Sequence, residues 1–476
     1  MIIANGRFSL EGQHAFAALS GDINPIHLDA VAARLLISGA VIVHGVHTLL
    51  WALNALADSS FRPAGIRAID VRFPNPLHLD NDVALSVHKA DANVIALRVH
   101  CAEKVIASIN LTCQQVAPWV PCADDSTLVS AGTIRDVPLE EMVGCRGVVD
   151  FAAPADDFRA AFPAAASLLG AARLRTLAAC SRIVGMEYPG LRSIFSRLTA
   201  QFNEEIEIPR LGYEVTEIDA RFNIVRLTVM GAGLQGRLEA FSLPAAKAQP
   251  DMAELSNKIG ADRFAQQTAL VIGGSRGLGA LTAKAIAAGG ARVIVSYAVG
   301  KNEAQQVVEE IRGAGGHAEI MEYDVRQPAG PQLERLKGAQ PTHVYYFATG
   351  RIFKQHLKTF DRNTLDDFLA FYVYGVSDLV DALQAVSAGP LTLFYPSSIA
   401  VEERPRNMTE YAMAKAAGEV LCSDLARFNP SLRVVVERLP RLSTEQTQTI
   451  RPQQLPAAID VLLPPLLRCA SVFEKC

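Results

Sequence analysis

Asp22, Asn24 and His27 fall within six residues of one another in the run Ser20-Gly-Asp-Ile-Asn-Pro-Ile-His27, which then gives way to an almost wholly apolar stretch. A carboxylate and an imidazole on one tight turn can divide the work of moving a proton, one accepting while the other donates. An unsupported carboxylate is too acidic to be a strong base, so burial or coupling to His27 has to raise its pKa. Further on, His44-Gly45 opens the long apolar segment. A glycine at the start of a helix presents a backbone N–H, aided by the helix dipole, to an oxyanion. Taken singly, Asp22 and Asn24 before Pro25 also suit an Asx-turn and helix capping, and His27 suits a satisfied core histidine.

A second set of residues lies near the other end of the chain. Gly273, Gly277 and Gly279 sit where the apolar strand Thr268-Ala-Leu-Val-Ile turns into a helix, with Ser275, Arg276 and Leu278 between them. Glycine lets the backbone approach a pyrophosphate, and the helix N-terminus supplies free N–H groups. An acid about 20 residues further on would bind a ribose 2′-hydroxyl. Here the next strand ends Val295-Ser296-Tyr297, and the first carboxylate beyond it is Glu303. Arg276 and Lys301 offer two cations instead, which favours a 2′-phosphate and so NADPH over NAD; as solvated surface charges they would carry no such meaning. Tyr411 and Lys415, four apart, share one helix face. An ammonium beside a phenol stabilises the phenolate, so Tyr411 is expected to exchange a proton with a substrate oxygen while hydride moves at the attached carbon. Ser398, following the strand 391–396, is placed to hydrogen-bond that oxygen. No metal is expected.

The elements that must hold these residues follow from pattern. At 476 residues, half apolar and a fifth charged, the chain needs two or three cores. The net charge of −4, without a Lys/Arg cluster, argues against a nucleic-acid partner. Eight cysteines without a CxxC pair or framework spacing read as thiols of a reducing compartment. The N-terminus lacks the order of a secretion signal, so a cytoplasmic protein is expected. The apolar run 35–57 is long enough for a membrane span, but His44, His47 and Asn54 interrupt it, and a core helix over about 43–57 is the better reading. A shorter helix near 30–38 precedes it. Strands follow at 83–88, 94–101 and 105–114, then a Pro- and acid-spotted joint with an edge strand over 117–150.

Residues 151–245 repeat that order: a helix over 171–184, then strands at 211–218, 223–230 and 234–243. Asn93-Val-Ile-Ala-Leu-Arg-Val lines up with Asn223-Ile-Val-Arg-Leu-Thr-Val. The domains expected are 1–116, 117–245, a linker at 246–267 and 268–476. The last alternates strands (292–297, 318–325, 342–348, 391–396) with helices, the rhythm of a doubly wound parallel sheet. A Pro-broken apolar helix over 455–473 closes it.

Two resemblances sharpen these expectations. The run S-G-D-x-N-P-x-H with a downstream H-G, over about 8–116, resembles the MaoC-like (R)-specific enoyl-thioester hydratases, whose hot-dog fold wraps a sheet round one long helix. The resemblance implies that Asp22 and His27 are the catalytic pair adding water to carbon 3 of an enoyl chain, or removing it, and that Gly45 N–H holds the thioester carbonyl. Where some members carry a helix serine, Leu53 stands here. The repeat at 117–245 has no histidine, so a double hot-dog with one live site is implied, its second half a pseudo-dimer face and part of the acyl tunnel. The glycine turn, Ser398 and Tyr411–Lys415 resemble the short-chain dehydrogenase/reductases over roughly 268–450. That resemblance implies catalytic roles for Ser398, Tyr411 and Lys415, and cofactor contacts from Gly273, Ser275, Arg276, Gly277, Leu278, Gly279, Ser296, Lys301, Asp324 and Val325, with Asp324, at the end of the third strand, on the adenine.

Three departures stand out: Phe347-Ala-Thr-Gly350 for the family's Asn-Asn-Ala-Gly, Tyr372 at a relay asparagine's place, and Pro440-Arg441 for Pro-Gly. The expected whole is an α+β double hot-dog followed by an α/β Rossmann domain. It would interconvert enoyl, 3-hydroxyacyl and 3-oxoacyl thioesters of CoA or acyl-carrier protein, as a homo-dimer or tetramer. The alternatives are a reductase with a silent acyl-binding hot-dog module, or a hydratase with a scaffold nucleotide domain.

Overall fold

The computed structural model describes residues 1–34, 39–114, 132–203, 210–244, 249–336, 338–352, 359–386, 389–442 and 455–470. The far end of the expected 30–38 helix, the acid-spotted joint up to 131 and the last residues of the C-terminal helix lie outside them. Two compact units divide at Ala245/Ala246.

The first unit is one ten-stranded antiparallel sheet in the order β1-β3-β4-β5-β2-β7-β10-β9-β8-β6. Its first half comprises β1 (Ile2–Arg7), β2 (Ile66–Arg72), β3 (Asp82–Ala90), β4 (Val94–Cys101) and β5 (Lys104–Cys113). The second comprises β6 (Arg146–Val149), β7 (Ser193–Phe202), β8 (Leu211–Asp219), β9 (Ile224–Gly231) and β10 (Leu234–Ser242). The two halves have matching strand orders, and Ala102 (φ 51°) and Ala232 (φ 49°) hold matching left-handed places in the β4–β5 and β9–β10 hairpins. This is the double hot-dog. The seam is β2 against β7, with Val71 opposite Leu198. Across it the Arg197 guanidinium grips both oxygens of Asp70, each at 2.9 Å.

Alternation decides which side of each strand faces the helices: Ile95, Leu97 and Val99 point into the core, while Arg98 points out. The core surrounds two central helices, Gly45–Ala57 and Ala171–Arg182. The first is buried nearly all round, and its three polar interruptions are each satisfied. His44 and His47 bond Gln13, and Asn54 Oδ1 accepts the amides of Ala164 and Ala165 at 3.0 and 3.1 Å, capping the helix Pro163–Leu169 of the other half.

The second unit is a six-stranded parallel sheet in the order β13-β12-β11-β14-β15-β16. The strands are β11 (Thr268–Ile272), β12 (Arg292–Tyr297), β13 (His317–Glu322), β14 (His343–Tyr346), β15 (Leu391–Ser398) and β16 (Leu432–Leu439). Along β11, Ala269 and Val271 enter the core on one face and Leu270 and Ile272 the core on the other. Both faces are therefore covered, as a parallel sheet requires. The sequence expectation of a linker at 246–267 needs correction. Met252–Ile259 is a helix with a capping box between Asp251 and Glu254, and Met252, Leu255 and Ile259 join the core. The C-terminal helix Ala458–Ala470 keeps Pro464 and Pro465 inside it and buries Leu462 and Leu466. One helical run, Arg362–Val386, is long and apolar enough by composition to cross a membrane; here its buried face packs on the sheet through Phe368, Tyr372, Val376 and Leu379.

Candidate functional sites

In the first unit the helix Leu10–Ser20 ends at Gly21, whose φ of 75° is the left-handed C-cap conformation that glycine adopts without strain. The turn that follows is held by its own polar groups. Asp22 N–H donates to Ser20 Oγ (3.1 Å), Asn24 N–H to Asp22 Oδ1 (3.3 Å), and Ile26 N–H to Asn24 Oδ1 (3.1 Å). The side chain that caps the short helix Pro25–Leu28 is thus Asn24 and not Asp22. Asn24 Nδ2 also donates to the carbonyls of Gly185 (3.0 Å), Gly190 (3.1 Å) and Leu191 (3.3 Å), fastening the turn to the second half.

His27 Nδ1 donates to the Ile42 carbonyl at 2.8 Å, which leaves the lone pair of the neutral ring on Nε2. Its ring stacks on His44 with centroids 3.8 Å apart. His44 Nε2 lies 3.9 Å from Asp22 Oδ2. Burial raises the Asp22 carboxyl above its ordinary range, and the His27 charge and the bonds from Ser181 and Asn24 draw it back. Burial also lowers His27, against the pull of Asp22, and lowers His44 further still. These opposed pressures bring acid and base towards one another, as proton transfer near neutral pH requires.

His44 has a further constraint. Its backbone N–H donates to Gln13 Oε1 at 3.1 Å, so Nδ1, 2.9 Å from that same oxygen, must carry a proton. Its Nε2 faces the Asp22 carbonyl at 3.0 Å. A neutral ring satisfies one of these acceptors; only the imidazolium satisfies both. Asp22, His27 and His44 each bring a donor atom within 4.8 Å of the others, a spacing that would suit a cation. Most of those atoms are already spent on the bonds just described, and the cluster reads as an acid–base group.

Gly45 is the first residue of its helix, where backbone N–H groups have no partner within the helix. A Cβ there would stand 3.1 Å from the Phe73 ring, so a larger residue would have to push that ring aside.

Sequence reasoning missed Ser181. It lies at the end of the second central helix and donates to Asp22 Oδ2 at 2.6 Å, both side chains being buried. The second half therefore contributes directly to the site. Nothing in Ala-Ala-Cys-Ser181-Arg announces this.

In the second unit, Gly273 (φ 73°) and Gly277 (φ 57°) adopt left-handed conformations. A Cβ on Gly273 would strike the Ala348 amide at 2.9 Å and one on Gly279 the Gly273 carbonyl at 2.2 Å, while above Gly277 the space is open. A turn of this shape could hold a phosphate. Ser275 and Arg276 lie in the turn itself, Arg276 at the N-cap of the helix Gly277–Ala288. Leu278 packs towards the core. Ser296 is turned inward: its hydroxyl accepts the Gly273 N–H at 3.0 Å, so it supports the turn from behind. Lys301 is the exposed first residue of the helix Lys301–Gly313, at the positive end of the dipole where a cation gains nothing locally.

The third strand stops at Glu322, so Asp324 sits in the loop beyond it rather than ending the strand. Both its oxygens are taken by Arg326 (3.0 and 2.8 Å). That pairing holds its carboxyl below the usual range. Val325 is buried beside it.

Ser398 ends β15, and Tyr411 and Lys415 lie one turn apart on the helix Thr409–Phe428. The Ser398 hydroxyl hydrogen-bonds the Tyr411 phenol. Lys415 is buried. Its Nζ donates to the Pro396 carbonyl at 2.7 Å and stands over the rings of Tyr372 (4.0 Å), Tyr395 (5.0 Å) and Tyr411 (6.0 Å). Burial pushes its pKa down to about 7, and burial also raises the Tyr411 phenol rather than letting the ammonium lower it. Tyr372, at the relay asparagine's place, supplies the face that shelters Lys415 and hydrogen-bonds Thr349 through its hydroxyl.

Residues 11–110 match the MaoC like domain, and residues 267–340 match the short chain dehydrogenase. The chain joins a MaoC-like domain to a short-chain dehydrogenase domain. Asp22, His27 and Gly45 fall inside the MaoC-like match and the glycine turn inside the dehydrogenase match, while Ser398, Tyr411 and Lys415 lie beyond the latter.

Among curated proteins, the chain is 49% identical over 116 residues to an uncharacterized oxidoreductase of Methylorubrum extorquens, covering 22% of this chain and 47% of that protein. It is 48% identical over 59 residues to a 3-oxoacyl-[acyl-carrier-protein] reductase of Synechocystis sp., covering 12% and 24%. The chain thus spans less than half the length of these relatives. Among solved structures, a short chain dehydrogenase from Burkholderia cenocepacia in complex with NADP shares 26% identity at TM-score 0.39, covering 43% of this chain and 91% of that one. A short chain dehydrogenase from Escherichia coli complexed with NADPH shares 21% at TM-score 0.40, covering 44% and 93%.

Proposed function

We propose that the MaoC-like domain is an (R)-specific enoyl-thioester hydratase, equally a 3-hydroxyacyl dehydratase, and that the dehydrogenase domain is an NADPH-dependent 3-oxoacyl-thioester reductase. The observation that carries the reading is the buried group of Asp22, His27 and His44 beside the helix that begins at Gly45. In hydration, the Asp22 carboxylate and His27 Nε2 hold a water molecule. One proton leaves it as its oxygen bonds carbon 3, and a proton is returned to carbon 2. The enolate charge that develops on the thioester oxygen is met by the Gly45 N–H and the helix dipole. Each of these elements contributes about 10²–10⁴-fold in comparable enzymes.

In the dehydrogenase domain the open space over Gly277 and the close approaches at Gly273 and Gly279 fit a dinucleotide's pyrophosphate. Arg276 and Lys301 would hold a 2′-phosphate, and Lys301, which gains nothing from its own helix, favours that choice. The bound nicotinamide supplies hydride. Tyr411, kept protonated by burial and hydrogen-bonded to Ser398, gives its proton to the substrate oxygen, and Lys415 anchors the floor of the site. The name of the Synechocystis relative supports a 3-oxoacyl thioester as substrate. Both reactions concern carbon 3, so the alcohol made at one site is the substrate of the other.

The test is a pair of assays on one purified sample: hydration of a short enoyl-CoA, and NADPH oxidation with a 3-oxoacyl thioester. Asp22→Asn should abolish only the first and Tyr411→Phe only the second. A sample that hydrates but never oxidises NADPH would favour the second reading, a hydratase with a scaffold nucleotide domain, which the Tyr372 replacement and the aromatic burial of Lys415 support.

A further inference from the structure

We propose that Ser181, contributed by the half without an acid–histidine pair, is a positioning residue that fixes the orientation of the Asp22 carboxylate and favours its ionised form. The inference rests on the hydratase reading of that site and deepens it. Ser181 Oγ donates to Asp22 Oδ2 at 2.6 Å, a length typical of a charge-assisted hydroxyl–carboxylate bond. The other oxygen accepts the Asn24 amide, so each is held by one donor and keeps a further lone pair for water.

The surrounding backbone is shaped to the same end. One residue beyond Ser181, after Arg182, the helix widens into a π turn over Ile183–Glu187, a feature that recurs at functional sites. Gly185 lies within it, and a Cβ there would stand 2.1 Å from Asp22 Oδ1, inside the carboxylate itself. The three carbonyls bonded by Asn24 include that of Gly185, so the acidic turn is docked on this bulge through Asn24 and on the helix before it through Asp22. The charged and titratable groups around Asp22 are His27 on its own turn, His44 at 3.9 Å, and Arg182. Arg182 lies beside Gly21 and spends its Nη1 on the Asp150 carbonyl at 3.1 Å. Ser181 is the side-chain hydroxyl that donates directly to the carboxylate.

The experiment uses the full chain with Ser181→Ala and Ser181→Thr. It reads the pH profile of enoyl-CoA hydration with kcat and KM separated, and the titration of the Asp22 carboxyl carbon by isotope-edited NMR, assigned with Asp22→Asn. Loss of the hydroxyl should lower kcat about 10- to 100-fold with KM within about twofold, and Thr should restore most of it. The acid limb and the carboxyl midpoint should both move up by about one pH unit in Ser181→Ala. An unchanged midpoint overturns the proposal, as does a loss of kcat with the acid limb fixed. If the wild type hydrates no enoyl thioester, the hydratase reading fails, while the carboxyl titration still decides whether Ser181 holds Asp22.

Discussion

At the residue scale the chain buries ionisable groups, Asp22, His44, Tyr411 and Lys415 among them. Asp22 has a folded-state pKa above its ordinary value, so the stability it contributes is present below the unfolded pKa and lost as pH rises through the folded one. At pH 7–8 the ionised carboxylate therefore destabilises the fold. Asp22→Asn should abolish hydration yet raise Tm at neutral pH, by about 2–4 °C for each kcal/mol recovered, with the gap closing towards pH ~4. Thermal melts across that range check it. For the reductase, burial keeps the Tyr411 phenol protonated, which suits giving a proton and opposes taking one. Reduction of the oxo substrate should hold its rate through neutral pH, while the reverse oxidation should still be climbing beyond pH ~9. An oxidation optimum at neutral pH would contradict this.

The residue types were legible: Asp22, His27, Gly45, the glycine turn and Tyr411–Lys415 can all be picked out by spacing. Their protonation was not. Whether an ammonium lowers a neighbouring phenol depends on what else surrounds it, and Tyr372 and Tyr395 are brought to Lys415 from distant elements.

At the scale of elements, the central helix Gly45–Ala57 carries two polar side chains, His47 and Asn54, that bond other elements. Asn54 caps the helix Pro163–Leu169. Asn54→Ala should cost about 1 kcal/mol, seen in denaturant midpoints, with hydration rates preserved. The same kind of argument sorts the strands. Alternation announced β3, β4, β5, β8, β9 and β10, but β1 was missed, as were β2 and β7, which form the seam. Asp70 and Arg197 stand on the faces opposite Val71 and Leu198, and that opposed pair of charges makes sense only once the two strands are paired. The capping box at Asp251–Glu254 was present in the sequence and overlooked inside a supposed linker. Ser181 left no local signature, since its role depends on a partner 159 positions away along the chain.

For the whole molecule, two units with separate cores predict separable chemistry. In the full chain, Asp22→Asn should leave NADPH-dependent reduction within about twofold of wild type, and Tyr411→Phe should do the same for hydration. The phosphate cations should act on cofactor choice alone. Replacing Arg276 and Lys301 together with alanine should raise KM for NADPH about 10-fold or more while sparing NADH. The continuous ten-stranded sheet sets a different limit. Residues 1–116 expressed alone would expose the β2 edge that β7 covers, and light scattering should show self-association.

The β2–β7 seam has one more consequence. Two identical subunits meeting about a twofold axis must carry every mutation twice, so a change that helps one mouth is imposed on the other. Once both lobes are written into a single polypeptide, that copying rule lapses. One lobe can then carry groups that its sibling lacks, as the first carries Asp22 and His27 and the second Ser181, a division of labour that no symmetric pair can encode.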